Sequence, residues 1–137
     1  MRRRIAEIHQ KIHIARRSRR VVYIDDDPHA RDAMRVLLED WGCAAQVAGD
    51  IDQALAASLG SAPDVMISDY SLGGGDTGLT AIGRFRERHG EVAVALVTGS
   101  VAPETLALFE AIEYPVLFAP VNAAELRRLL EVFKSID

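Results

Sequence analysis

In residues 21–28, VVYIDDDP, a short apolar run is followed directly by three aspartates and a proline. Val21–Ile24 has the length and composition of a buried β-strand. Asp27 can cap a helix that begins at Pro28, because proline at the first helical position lacks only an N–H that would have no partner there. The stretch therefore predicts a strand, an acidic loop and a helix in direct succession.

The same strand-to-helix pattern recurs along the chain on the C-terminal side of this stretch. The further predicted strands are Ala44–Ala48, Val65–Ser68, Val92–Val97 and Val116–Phe118. The helix from Pro28 ends at Gly42, and the helices that follow are Ile51–Leu59, Leu79–His89, Pro103–Ile112 and Ala123–Phe133. Strict alternation with short connections predicts an α/β fold, a doubly wound parallel sheet of five strands with helices on both faces.

Composition limits the class of protein. The chain has 137 residues, of which 49% are apolar and 26% are charged, as expected for one globular domain. No apolar run approaches the roughly 18 residues of a membrane span, and no apolar run follows the basic N-terminus as in a secretory signal. The one cysteine, Cys43, can form neither an intrachain disulfide nor a structural zinc site alone. We therefore expect a cytoplasmic protein without a membrane association.

Charge divides the chain at about residue 20. Residues 1–20 carry eight Lys or Arg and one Glu, whereas residues 21–137 carry eight basic and nineteen acidic residues. We therefore predict a basic helical extension over 1–20 and an acidic domain over 21–137, which is not expected to bind nucleic acid. Ile5, Ile8 and Ile12 form an apolar stripe on the extension, which could form a homodimer or dock onto a helical partner.

Carboxylates follow two of the predicted strands. Asp25 and Asp26 come after the first strand, and Asp69 comes after the third. Because ligands of open α/β sheets bind beyond the carboxyl ends of the strands, we expect these acids to share one site. Three clustered carboxylates repel one another unless a cation lies among them, and oxygen ligands favour Mg²⁺. A carboxylate beside Mg²⁺ can attack a phosphoryl group, to which Thr98 could donate a hydrogen bond.

Four segments together resemble the receiver domain of two-component response regulators over about residues 21–134. They are the acidic cluster in VVYIDDDP, the acceptor in VMISDYSL (65–72), the threonine in VALVTGS (94–100) and the proline in LFAPVNAAEL (117–126). No single segment is specific, but the four lie at the expected strand ends and in the expected order. The resemblance implies a flavodoxin-like sheet with strand order 2-1-3-4-5.

The resemblance also implies the role of each site residue. Asp69 would be the phosphoacceptor, and Thr98 would hydrogen-bond to the phosphoryl group. Asp26 would bind Mg²⁺ directly together with Asp69 and the backbone carbonyl of Ser71, and Asp25 would bind it mostly through a water molecule. The donor would be a histidine kinase or a phosphotransfer protein. Any chemistry of its own would be limited to self-phosphorylation and autodephosphorylation.

The chain departs from the family pattern at Ala119. The family has a lysine before the last-strand proline, and Phe118-Ala119-Pro120 lacks that ammonium. Arg31 and His29 are the nearest basic candidates to replace it. This departure predicts an intact phosphoacceptor with weakened conformational switching.

Three alternatives remain open at this point. The glycine-rich wording of DYSLGGGDTGL (69–79) is similar to receivers of hybrid histidine kinases, so the chain could be a regulatory segment of such a kinase. Ala119 favours a receiver used for docking or dimerisation without phosphorylation, which the intact aspartates oppose. A Mg²⁺-dependent aspartyl-phosphate phosphatase is disfavoured, because the residues after Asp25-x-Asp27 do not match its pattern.

Overall fold

The structure, a computed structural model, describes residues 19–136. Its strands are β1 (Arg20–Ile24), β2 (Ala44–Ala48), β3 (Val65–Asp69), β4 (Ser71–Gly73), β5 (Asp76–Thr77), β6 (Ala93–Thr98) and β7 (Val116–Phe118). Its helices are α1 (Pro28–Asp40), α2 (Ile51–Ala57), α3 (Gly78–His89), α4 (Pro103–Ala111) and α5 (Ala123–Ile136). The predicted helix with Ile5, Ile8 and Ile12 lies outside the described residues.

Five strands form one parallel sheet in the order β2-β1-β3-β6-β7. When only the five predicted strands are numbered, this order is 2-1-3-4-5, so the predicted fold class is confirmed. The order places the carboxyl ends of β1 and β3 side by side, with Ile24 in register with Ser68. The first and third strands therefore deliver their trailing aspartates to one place.

Each face of the sheet has its own apolar core, as strands buried on both sides require. Met34 of α1 and Leu126 of α5 pack on one face against side chains such as Ile67 of β3. Ala54 of α2 and Phe85 of α3 pack on the other face. Among the described helices, none combines the length and the apolar character needed to cross a membrane.

The start of α1 confirms the helix cap predicted from residues 21–28. Asp27 is the N-cap, its carboxylate accepts a hydrogen bond from the backbone N–H of His29 at 2.9 Å, and Pro28 opens the helix. The helix therefore begins directly beside the acidic residues that end β1.

The loop GGGDTG is a short antiparallel hairpin of β4 and β5, which the sequence analysis did not predict. Gly73, Gly74 and Gly75 have φ values of 79°, 61° and 88°, a conformation that other residues rarely adopt. After this turn, the backbone N–H of Gly78 donates to the carbonyl of Tyr70 at 2.7 Å. The hairpin thereby brings the start of α3 back against the end of β3.

We predict that Gly78→Ala destabilises the domain. A Cβ atom at this position would lie 2.9 Å from the backbone carbonyl oxygen of Asp69, which cannot move without shifting the strand. Overpacking of this kind costs about 1–3 kcal/mol, and urea unfolding would measure the loss.

Gly83→Ala in the same helix is the matched control. Nothing lies within 4 Å of the Cβ atom that this substitution adds, so the better helix propensity of alanine should raise the free energy of unfolding by about 0.5–1 kcal/mol. Equal effects of the two substitutions would contradict the close packing of Gly78 on Asp69.

Candidate functional site

Three carboxylates meet at the carboxyl end of the sheet, as predicted. One oxygen from each of Asp25, Asp26 and Asp69 lies within 4.8 Å of the others. Asp25 is buried, Asp69 is partly buried and Asp26 is exposed, so the cluster runs from the interior to the surface. Carboxylate oxygens are hard ligands that suit Mg²⁺, and this donor set fits that ion.

The buried carboxylate of Asp25 is fixed by two hydrogen bonds. The hydroxyl of Tyr23 donates to Oδ2 at 2.6 Å, and the backbone N–H of Asp27 donates to Oδ1 at 3.0 Å. Tyr23 lies two residues before Asp25 on the same face of β1, and only 2% of it is exposed. Burial is the main cause that raises the pKa of Tyr23, followed by its hydrogen bond to Asp25. The phenol therefore stays protonated and donates.

The environment of Asp69 raises the pKa of its carboxyl when no metal is bound. Burial is the largest cause, and the charges of Asp25 and Asp26 add to it, raising the pKa of Asp69 to about 6. The backbone amides of Tyr70 and Ser71 act in the opposite direction. At neutral pH most of the carboxylate is still ionised, so Asp69 keeps the form that a nucleophile needs.

An open cavity of about 510 Å³, which we call the acidic cleft, lies between α1 and the ends of β1, β3 and β7. Its walls include apolar side chains such as Met34 and Val121, and its polar groups are the hydroxyl of Tyr23 and carboxylates. No Lys or Arg lines the cleft in the part of the chain that the structure describes. Ala119 forms part of the wall.

The two basic candidates near α1 do not enter the acidic cleft. The guanidinium of Arg31 donates to the backbone carbonyl of Asp25 at 2.7 Å and lies against Gly49. His29 is exposed and does not line the cleft. Arg31 thus supports the backbone of the site from behind, on the side of β2.

Thr98 and Ser71 lie at the ends of elements next to Asp69. Thr98 ends β6, one residue beyond Val97, the register partner of Asp69. Its hydroxyl oxygen accepts a hydrogen bond from the backbone N–H of Ser100 at 3.1 Å, which leaves the hydroxyl hydrogen for another acceptor. Ser71 begins β4. Its backbone N–H donates a hydrogen bond to the carboxylate of Asp69, which lowers the pKa of that carboxyl.

Tyr23 is the site residue that the sequence analysis missed. The signal that could have found it is its spacing from Asp25, because residues two apart on a strand share a face. An amphipathic tyrosine in an apolar strand, on the face of a carboxylate, predicts a buried hydrogen bond.

Comparison with known proteins identifies the family of this arrangement. The family model described as the response regulator receiver domain matches residues 21–131. An uncharacterized 14.6 kDa protein of Leptolyngbya boryana is 33% identical over 116 residues, which cover 82% of this chain and 88% of that protein. The C4-dicarboxylate transport transcriptional regulatory protein DctD of Pseudomonas aeruginosa is 34% identical over 79 residues, but these cover 58% of this chain and only 17% of DctD.

Solved structures show the same fold. The chemotaxis response regulator CheY4 of Vibrio cholerae superposes with a TM-score of 0.69 at 25% identity, over 82% of this chain and 96% of that one. NtrX of Brucella abortus superposes with a TM-score of 0.72 at 28% identity, over 85% of this chain and 28% of NtrX.

We predict that Asp69→Asn stabilises the metal-free protein at neutral pH. The folded state holds a proton on Asp69 between pH 4 and about 6, where the unfolded state has lost it, so this group lowers stability as pH rises. With allowance for solvent screening at this half-buried carboxyl, the gain at pH 7 is about 1 kcal/mol. Below pH 4 both states hold the proton and the difference disappears.

Asp40→Asn removes an exposed carboxylate at the end of α1 and serves as the control for net charge. Thermal unfolding of both variants and the wild type between pH 3 and 8, in the presence of a chelator, checks the prediction. A pH dependence of Asp69→Asn that matches that of Asp40→Asn would contradict it.

Proposed function

This chain belongs to the response regulator receiver domain family, and from that premise we propose that Asp69 is the residue that accepts the phosphoryl group. The family supports a phosphoacceptor role in two-component signalling. The observation that carries the choice of Asp69 is its position at the end of β3, where its carboxylate meets those of Asp25 and Asp26.

In the proposed reaction, an oxygen of the Asp69 carboxylate attacks the phosphorus of a phosphohistidine. The new O–P bond forms as the N–P bond breaks. The electron pair of the N–P bond stays on the imidazole nitrogen of the donor. Asp69 is partly exposed at the edge of the sheet, so a partner's histidine can approach it. The donor is a histidine kinase or a phosphotransfer protein.

The residues proposed to hold Mg²⁺ are Asp26 and Asp69 through their carboxylates and Ser71 through its backbone carbonyl, with Asp25 acting through a water molecule. When bound, the ion supplies positive charge that offsets the charge of the transferring phosphoryl oxygens. The exposed position of Asp26 and the hydrogen-bonded position of Asp25 support this division of roles.

Thr98 and Ala119 are the residues proposed to set how much the conformation changes when Asp69 is phosphorylated. The free hydroxyl hydrogen of Thr98 is proposed to bind a phosphoryl oxygen, which draws the end of β6 towards Asp69. Ala119 offers no ammonium, and the basic side chains near α1 do not line the acidic cleft. We therefore propose that phosphorylation shifts the conformation less than in receivers with the lysine.

These roles do not depend on the wider context of the chain. The same residues would act in a separate cytoplasmic response regulator and in the receiver segment of a hybrid histidine kinase. A homodimer through the N-terminal extension is also a proposal, because Ile5, Ile8 and Ile12 lie outside the described part of the chain, whereas Arg20, at the predicted end of the extension, already belongs to β1.

We expect acetyl phosphate to phosphorylate Asp69 in the presence of Mg²⁺. Intact-mass measurement should show an adduct of about 80 Da on the wild type and on Asp40→Asn, and none on Asp69→Asn. Mg²⁺ should be required, and Asp26→Ala should abolish its binding.

The same assay tests the docking alternative. No adduct with acetyl phosphate or with a phosphohistidine donor would favour a receiver that works without phosphorylation. An adduct that survives Asp69→Asn would show that another residue is the acceptor.

We also expect Ala119→Lys to enlarge the conformational response to beryllofluoride, which mimics the phosphoryl group. A charge-assisted hydrogen bond contributes roughly 1.5–3 kcal/mol, so restoring it should raise the equilibrium constant for switching by roughly 30-fold. Amide NMR shifts in β6, α4 and β7 measure the response.

Ala57→Lys adds the same charge at the exposed end of α2, outside the acidic cleft, and is the matched control. The idea fails if the wild type already shows the full response and Ala119→Lys adds nothing to it.

A further inference from the structure

All four polar groups of Asp25 are engaged. Its backbone N–H donates to the carbonyl of Ala48 at 3.0 Å, and its backbone carbonyl accepts from Arg31 at 2.7 Å. Its carboxylate accepts from Tyr23 at Oδ2 and from the amide of Asp27 at Oδ1. Neither the backbone nor the carboxylate of Asp25 can turn without breaking one of these bonds.

The carboxylate of Asp26, unlike that of Asp25, is not held by hydrogen bonds from the described residues. Asp26 is exposed and follows the end of β1. Its Oδ2 lies near the backbone of Gly73 in the hairpin, 3.5 Å from where a Cβ atom would be. Two neighbouring aspartates thus differ, one rigidly hydrogen-bonded and the other ready to coordinate an ion.

The hydroxyl of Tyr23 is as rigid as the carboxylate that it holds. The ring is buried in the core face that contains Met34 and Leu126, and it also forms part of the wall of the acidic cleft. This packing places its oxygen 2.6 Å from Oδ2 of Asp25. Tyr23 is also the one side chain with a hydroxyl in the described lining of the cleft.

We propose that Tyr23 is a positioning residue which, by donating its hydroxyl to Asp25, keeps that carboxylate from direct metal contact and makes the site select Mg²⁺ over Ca²⁺. The inference rests on the proposed function, since it assumes that the cluster holds a divalent ion. Mg²⁺ retains several waters in a strict octahedron, whereas Ca²⁺ takes six to eight oxygen ligands in flexible geometry. A third free carboxylate would add ligands and would favour Ca²⁺.

Tyr23→Phe tests the proposal, because it keeps the packed ring and removes only the hydroxyl. Tyr114→Phe is the matched control: it removes a hydroxyl that accepts from Arg86 at 2.7 Å and does not line the acidic cleft. Amide NMR titrations of each protein with Mg²⁺ alone and with Ca²⁺ alone measure the two dissociation constants.

We expect the preference for Mg²⁺, the ratio of the Ca²⁺ and Mg²⁺ dissociation constants, to fall about tenfold in Tyr23→Phe, which is the order of the change in metal affinity that loss of a hydrogen bond around a metal site causes. Tyr114→Phe should leave the ratio unchanged. A purely structural role of Tyr23 would weaken the binding of both ions in proportion and would not move the ratio.

An unchanged ratio in Tyr23→Phe, with a wild type that binds Mg²⁺ and is phosphorylated on Asp69, overturns the role of Tyr23 and leaves the proposed function intact. A wild type that binds neither cation overturns both. If Tyr23→Phe does not fold, the wild type itself decides: we expect the buried, hydrogen-bonded hydroxyl proton of Tyr23 to be visible by NMR and to persist when Mg²⁺ saturates the site. Its loss on saturation would overturn the proposal.

Discussion

Repulsion among three carboxylates is the constraint to which the rest of this site responds. Asp25, Asp26 and Asp69 bring one oxygen each within 4.8 Å of the others, and such a cluster raises the free energy of the ionised, metal-free state. Burial raises the pKa of Asp69 most, and the charges of Asp25 and Asp26 add to it, so that part of the rise to about 6 reflects this repulsion. A positive charge placed among the three carboxylates relieves this repulsion, so the same repulsion that destabilises the ionised cluster favours binding of a cation.

The fold withstands this repulsion because it fixes the backbone on both sides of it. Parallel pairing of β1 with β3 sets the distance between the strand ends, and large apolar cores on the two faces hold the sheet. Two neutral donors, the hydroxyl of Tyr23 and the backbone N–H of Asp27, hold the carboxylate of the innermost acid, Asp25. The packing of the two apolar cores therefore stabilises the fold enough to hold three mutually repelling carboxylates together, as is common at functional sites.

Much of this could be predicted from the chain. The bounds of β2 and β7 and the cap at Asp27 follow from local patterns, because short apolar strands and helix caps are determined by nearby residues. The meeting of the aspartates follows from the general rule that ligands of open α/β sheets bind beyond the carboxyl ends of the strands. The β4–β5 hairpin could not be predicted in the same way, since two strands of three and two residues carry too little alternation to distinguish them from a loop. The position of Arg31 depends on a tertiary contact, and a basic residue near a site carries no local signal of where its guanidinium points. The hydrogen bond from Tyr23 to Asp25 could be predicted in part. The spacing of the two residues places their side chains on one face, but only the structure shows that the hydroxyl reaches the carboxylate.

Asp27 belongs both to the helix and to the site. Its carboxylate caps α1 while its backbone N–H donates to Asp25, so fraying of the first turn of α1 would weaken one of the two hydrogen bonds on the Asp25 carboxylate. Local opening of this turn and occupancy of the site are therefore linked equilibria, and whatever fills the site also slows hydrogen exchange at the start of the helix. Hydrogen exchange at the amides that begin α1 therefore reports whether the site is occupied, although these amides contribute no ligand to it.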